Sequence, residues 1–377
     1  MNKPRHILGI SGGKDSAALA IYLNDRYPQL NFEYYFCDTG KELDETYQLI
    51  DSLESYLGKK VKRLENEELV GSNETPFDFY YKSFRGYLPS PQARWCTALM
   101  KLKPFEKFVN GEPTVSYVGI RGDEDREGYI SKQDNIQSIF PFRKNIWSSD
   151  VMHKLFNPEN QKTVLDFYGS FYNGKKLEKV FDLLSEPISF DRNYRLETER
   201  IIKNKANSLL DMGIPEFNRT VFQFVKSVGY SLSFEDEYAL LDNEDIIVRD
   251  DVFKILRESG VGVPQYYEKV EYEVDGQKGE YARSRSGCYF CFFQQKIEWV
   301  WLFEQHPELF KEAMKYENTD ESFTWVANES LIELTEPARV RQIKLDHLKK
   351  SQKSKSSPYL LDILDETERD GCNTCFL

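Results

Sequence analysis

Residues 11–16 of the chain read Ser-Gly-Gly-Lys-Asp-Ser, a set of residue types suited to holding phosphate. Gly12 and Gly13 permit close approach of the backbone, and Ser11 and Ser16 offer hydroxyls. Lys14 can meet phosphate charge, while Asp15 either caps the helix that follows or helps to place a metal such as Mg2+. The spacing is not that of a Walker loop, which needs Gly-x-x-x-x-Gly-Lys-Ser/Thr. Two further polar sets stand at Asp38-Thr39-Gly40 and in the stretch from Gly119 to Arg126, where Arg121 and Arg126 flank Asp123 and Glu124. These charges either pair with one another or place Arg on phosphate and a carboxylate on Mg2+ or an acceptor. Arg283 and Arg285 can serve the same pocket.

The chain has six cysteines. Cys37 and Cys96 stand alone, while Cys288/Cys291 and Cys372/Cys375 each form a Cys-x-x-Cys pair. In a reducing compartment such pairs point to metal or redox chemistry before disulfides. Structural Zn2+ is one use of the first pair. The terminal pair is open between metal ligation, dithiol exchange and a passive tail. Cys37 lies inside an apolar run and reads as a small core residue.

The elements that must position these residues follow from periodicity. Residues 6–10 form a short apolar strand that ends at the glycines, and 16–24 continue as a helix. Strand, glycine turn and helix together aim backbone N–H groups and a helix N-terminus at an anion. A second strand over 32–38 ends in Asp38, and residues 44–57 read as a helix with Tyr47, Ile50, Leu53 and Leu57 on one face. Further strands are expected at 61–64 and 115–121. The alternation predicts an α/β fold, a doubly wound parallel sheet, whose ligands sit beyond the carboxyl ends of the strands. All three polar sets follow a strand, which is the argument for one composite pocket. The expected organisation is a nucleotide-binding domain over 1–150, a helical insertion over 151–245, a Cys-x-x-Cys region completing the core over 246–320, and a tail over 321–377. The apolar helical spacing at 292–310 reads as core packing, with His306 structural.

The formal net charge of −12 argues against tight autonomous binding to a nucleic-acid backbone, though not against a nucleic-acid acceptor delivered by partner proteins. Residues 339–355, with seven Lys or Arg against one Asp, read as a solvated helix running into a linker. No apolar run approaches the ~20 residues that span a bilayer, and the start carries no signal-peptide pattern, so a cytosolic address and no membrane partner are expected.

The loop matches in full the Ser-Gly-Gly-x-Asp-Ser signature of the PP-loop ATP pyrophosphatase superfamily, and the chain resembles it at this point. The segments 36–50, 94–108, 119–126 and 286–291 occur in the order seen in phosphoadenosine phosphosulfate reductase-like proteins. The resemblance implies an adenine nucleotide alpha hydrolase-like (HUP-type) fold. It also implies a site in which Ser11–Ser16, Asp38–Gly40, Gly119 and Arg121 bind nucleotide, with Lys14, Asp15, Arg121 and Asp123 acting in catalysis. True sulfonucleotide reductases tend to lose the Lys and Asp of the loop; Lys14 and Asp15 are retained here, as in members that consume ATP, such as DNA phosphorothioation and tRNA-thiolating enzymes.

In cluster-containing relatives, iron–sulfur ligands come from positions like Cys96 and Cys288/Cys291. Cubane clusters want four thiolates, so the resemblance leaves Cys372, Cys375 or an exogenous ligand for the fourth position. An iron–sulfur cluster, Zn2+ and no metal all stay open. The expected activity is ATP-dependent sulfur transfer with release of AMP and pyrophosphate, with a cysteine desulfurase as a candidate partner. Reduction of phosphoadenosine phosphosulfate or adenosine phosphosulfate by a thiol, with the terminal Cys pair exchanging with a thioredoxin-like donor, is the second reading, and a nucleotide-sensing subunit without chemistry is the third.

Overall fold

Alternate residues of the first apolar run face opposite sides of a sheet, as the period-2 geometry of a strand requires. Leu8 and Ile10 join one core cluster and Ile7 another; Tyr34 and Phe36 part from Tyr35 and Cys37 in the same way. The computed structural model describes residues 3–64, 66–126, 130–188, 195–321 and 323–356. Its main sheet has five parallel strands: β1 Arg5–Gly9, β2 Phe32–Phe36, β3 Val61–Arg63, β4 Thr114–Tyr117 and β5 Ile136–Ile139. Their order is β3-β2-β1-β4-β5. The chain therefore winds outward from β1 to β3, then crosses to the other side of β1 for β4 and β5. That reversal makes a switch point between β1 and β4, where a crevice opens beyond the strand ends.

Helix α1, Lys14–Arg26, is buried from Lys14 to Leu23 and apolar throughout from Ala17 to Leu23. Helix α2, Asp44–Leu57, buries Thr46, Leu49, Ile50, Leu53 and Leu57; Tyr47 is only half-buried. Both pack on one face of the sheet, and Lys103–Val109 covers the other through Phe105 and Val109. The helices Ser149–Leu155, Gln161–Tyr168, Gly174–Ser185, Arg195–Met212 and Ile214–Val228 add Val151, Val164, Val180, Leu209 and Phe224 to the core that holds α1. Arg249–Glu258 lies along α1 through Val252 and Leu256.

A second core gathers Phe77 from helix α3, Pro76–Ser83, with Trp95, Phe290, Trp299, Trp301 and Trp325. The expected helix over 292–310 is two helices, Lys296–Gln305 and Pro307–Met314. Pro307 opens the second, since proline has no N–H to continue the first and fits an initial helical turn. An antiparallel hairpin, β6 Val270–Val274 and β7 Gln277–Tyr281, adds Tyr272, Val274 and Tyr281 to this core. It turns at Asp275 and Gly276, both with positive φ. The basic segment lies in the helix Pro337–Ser356, where Arg339 pairs with Glu329, Arg341 with Asp275 and Lys344 with Glu304. Those cations are thus answered by the chain's own carboxylates. No helix of the described residues is long and apolar enough to cross a membrane.

Candidate nucleotide site

The phosphate loop sits at the switch point, just past the end of β1. Gly12 has φ +72°, in the left-handed region, and a methyl there would meet Thr46 Cγ2 of α2 at 2.2 Å. Glycine is therefore required on both conformational and steric grounds. Ser16 Oγ fastens the loop internally, accepting from Ser11 N at 3.1 Å and donating to Gly13 O at 3.1 Å. Gly13 caps α1 without any side-chain hydrogen bond, so the first turn of the helix presents its N–H end and its dipole to the crevice. Lys14 follows at once.

Lys14 is 3% exposed, and its Nζ is 3.4 Å from Asp15 Oδ2, 3.4 Å from Ser284 O and 4.9 Å above the Tyr267 ring. Asp15 is held from the other side by Arg121 Nη1 at 3.0 Å. Arg121 is fully buried and also reaches Asp123 Oδ1 at 2.8 Å and Glu124 Oε1 at 3.2 Å. Arg126 pairs with Glu124 at 3.0 Å. The loop charges around 119–126 thus pair with one another, and Arg121 and Asp15 are joined directly. Gly119 makes that join possible: a Cβ there would lie 2.8 Å from Asp15 O.

The Asp38–Gly40 turn lies after β2. Asp38 Oδ1 accepts from Gly40 N at 2.8 Å and from Tyr47 OH at 2.9 Å. Thr39 Oγ1 donates to Glu42 Oε1 at 2.6 Å and lies 3.1 Å from Cys288 Sγ. Burial and the neighbouring Asp38 push the Glu42 carboxyl up to about 7. Burial, then Glu42, push the Cys288 thiol well above its ordinary value. Cys37 is buried in the core and pushed up to about 12, chiefly by burial, as suits an inert thiol.

The third wall comes from far along the chain, and motif reading alone does not find it. Tyr266 OH donates to Gly12 O at 3.0 Å, and Tyr267 OH accepts from Lys14 N at 3.4 Å. Beyond the hairpin, Ser286 Oγ donates to Ser11 O at 3.4 Å. The two roots of β6–β7 therefore both rest on the phosphate loop. Of these residues only Ser286 stood inside a segment singled out by sequence, and nothing local marks Tyr266 or Tyr267. A cleft of about 470 Å³ nearby is lined by Asp44, Glu45, Gln48, Gln265 and His306 but by no phosphate-loop residue, so it is not the phosphate site.

Cys96 and Cys288 both pack against the second core, and Cys291 N bonds Cys288 O at 3.2 Å. Among the described residues no three His, Cys, Asp or Glu side chains gather to hold a metal ion. Cys372 and Cys375 lie outside the described residues. The described cysteines therefore do not form a cluster site or a closed zinc site by themselves.

Comparison with known proteins bears on the part of the chain that carries the sheet. Residues 5–144 match the phosphoadenosine phosphosulfate reductase domain. That match places this part of the chain in the PP-loop, adenine nucleotide alpha hydrolase superfamily, and with the five-stranded parallel sheet it gives an α/β fold of HUP type. The family is generally enzymatic. An uncharacterized protein of Methanocaldococcus jannaschii is 31% identical over 156 residues, covering 38% of this chain. The chain spans only 29% of that relative's length. No solved structure matches significantly.

Proposed function

We propose that the protein is an AMP- and pyrophosphate-forming sulfur-transfer enzyme whose nucleotide substrate is MgATP. The observation that carries this reading is the intact Lys14-Asp15 pair in the first turn of α1, at the switch point of the sheet and under a cysteine-bearing segment. The N–H end of α1 and Lys14 are set to bind the phosphates and to stabilise charge that develops as the α–β phosphate bond breaks. Arg121, locked to Asp15, Asp123 and Glu124, orients Asp15 rather than meeting phosphate itself. Attack of an acceptor oxygen on the α-phosphate releases pyrophosphate; a sulfur nucleophile then bonds to the activated acceptor atom, the bond from that atom to the adenylate oxygen breaks, and AMP leaves. Thr39 and Glu42 place Cys288 beside this site. The acceptor in this reading is a nucleic acid presented by partner proteins, with sulfur from the persulfide of a cysteine desulfurase and the two electrons that release it from a thioredoxin-like thiol donor.

The family match favours one rival, reduction of a sulfonucleotide. Anaerobic calorimetry with MgATP, adenosine phosphosulfate and phosphoadenosine phosphosulfate separates the two. Preference for ATP, with AMP formation lost in Lys14→Ala while the fold persists, is the expected result. Preference for a sulfonucleotide, or undiminished AMP formation in that variant, sinks the adenylating reading.

A further inference from the structure

The cations of the phosphate loop and of the loop after β4 have carboxylate partners. Lys14 has Asp15, Arg121 has Asp15, Asp123 and Glu124, and Arg126 has Glu124. Arg283 differs. It is 3% exposed, yet its guanidinium makes a single hydrogen bond among the described residues, from Nη2 to Cys288 O at 3.1 Å. Its Nε and Nη1 are buried without a partner among those residues. A guanidinium cannot shed its proton to escape burial, and leaving its charge unanswered is strongly unfavourable. A buried cation with two vacant donors calls for an anion.

The position of Arg283 says which anion. Its backbone N bonds Tyr266 O at 2.9 Å, and its guanidinium carbon lies 5.9 Å from the centre of the Tyr266 ring. Tyr266 OH in turn donates to Gly12 O in the phosphate loop. The next residue, Ser284, offers its carbonyl to Lys14 Nζ, and Cys288, which takes Nη2, borders Thr39. Arg283 thus stands between the phosphate loop and the Asp38–Gly40 turn, on the segment that covers both.

We propose that Arg283 binds a tetrahedral oxyanion, the phosphoryl or sulfonyl group attached to the α-phosphate of the nucleotide, through Nη1. This rests on the phosphate loop being the nucleotide site. Nη1 is without a partner among the described residues, and its charged N–H donors suit a short, charge-assisted bond to an oxygen of such a group. The group would then be gripped from two sides, by the N-terminus of α1 and by the root of the hairpin, so its arrival would tie the cysteine-bearing segment to the loop.

The test is calorimetry of the full chain with inorganic pyrophosphate, adenosine phosphosulfate and AMP, comparing wild type, R283Q and R283K. Losing a charge-assisted contact of this kind should weaken pyrophosphate or adenosine phosphosulfate by about 10- to 100-fold in R283Q and leave AMP binding unchanged. R283K should recover part of the loss. Tighter wild-type binding of pyrophosphate identifies the phosphoryl group as the source, and tighter binding of adenosine phosphosulfate identifies the sulfonyl group. Wild-type affinity for both ligands in R283Q, or no binding of either by wild type, overturns the proposal. If R283Q does not fold, R283K decides: equal losses for all three ligands mean a structural strut and overturn it. Arg283-dependent pyrophosphate binding in a protein that never forms AMP from ATP would sink the pyrophosphatase reading and leave the anion site standing.

Discussion

Gly119→Ala tests the join between β4 and the phosphate loop. The added Cβ would lie 2.8 Å from Asp15 O, 3.0 Å from Asp15 C and 3.3 Å from Ser16 N, where ordinary contact begins at 3.4 Å. All three atoms are backbone, so no rotamer change relieves the clash, and one chain segment must retreat by about 0.6 Å, the shortfall of the closest contact. Overpacking of this kind costs about 1–3 kcal/mol. The displaced residues form the first turn of α1, so the same retreat tilts the N–H groups aimed at phosphate. A shift of this size at a preorganised site should weaken ATP binding by about tenfold. Gly58→Ala is the control: it has φ +62° but open space around it, so it should cost about 1 kcal/mol with no effect on nucleotide. Urea unfolding and ATP calorimetry on both variants read the two effects. A Gly119→Ala protein that is destabilised but binds ATP like wild type would detach the β4 loop from the phosphate site; one with unchanged stability would refute the close approach itself.

Arg121→Met leaves Asp15, Asp123 and Glu124 facing one another without their shared cation, and should destabilise by about 3–5 kcal/mol in urea unfolding; a loss under about 1 kcal/mol would show the network to be weak. His6, buried with its Nδ1 2.8 Å from Tyr117 OH and its Nε2 3.5 Å from Glu235 Oε1, has its imidazole held below 6.5, burial outweighing the carboxylate. The unfolded chain therefore takes up the proton first, and stability should fall as pH drops through 6.5 and below; His6→Gln should flatten that dependence in urea midpoints across the window. Cys37 should resist iodoacetamide in the native protein while the half-buried Cys96 and Cys291 react, and should become labelled only on unfolding; mapping the adducts by mass spectrometry decides it.

How much of this was written in the sequence differs from residue to residue. The phosphate loop is legible because its requirements are local: Gly12 needs a left-handed φ, and Lys14 must open a helix that follows a strand. β1 and β2 are legible because both of their faces are largely buried, which makes them mostly apolar runs, interrupted by His6 and Glu33. β5 is not, because Ile-Gln-Ser-Ile puts two polar residues in a fully buried strand. Gln137 is tolerated there since its Oε1 accepts from Leu232 N at 3.0 Å, a partner more than ninety residues away. The Asp275-Gly276 hairpin turn is a short-range signal, but its register says nothing about where the hairpin docks. Tyr266, Tyr267 and Ser284 acquire their part in the site only through tertiary contact with residues some 250 positions earlier, and no periodicity carries that information.

The same contacts suggest how the site accepts substrate. Three of them, Lys14 N to Tyr267 OH, Lys14 Nζ to Ser284 O and Ser286 Oγ to Ser11 O, are 3.4 Å, at the long end of hydrogen bonding, whereas Tyr266 OH to Gly12 O is 3.0 Å. The contacts that shape the loop from within, by contrast, include those of Ser16 Oγ at 3.1 Å, and the ion pair that orients Asp15 is 3.0 Å. Phosphate oxygens would exchange the weak outer set for charge-assisted bonds, which run shorter and about twice as strong. The inner set would stay in place. In the proposed reading, nucleotide entry then needs Tyr267 and the Ser284–Ser286 root to yield, not the loop, and that root leads into the Cys288 segment. If the loop holds the nucleotide as proposed, occupancy of the phosphate site and the placement of the cysteines would be mechanically linked, because Arg283 bonds Cys288 O on one side and Tyr266 O on the other.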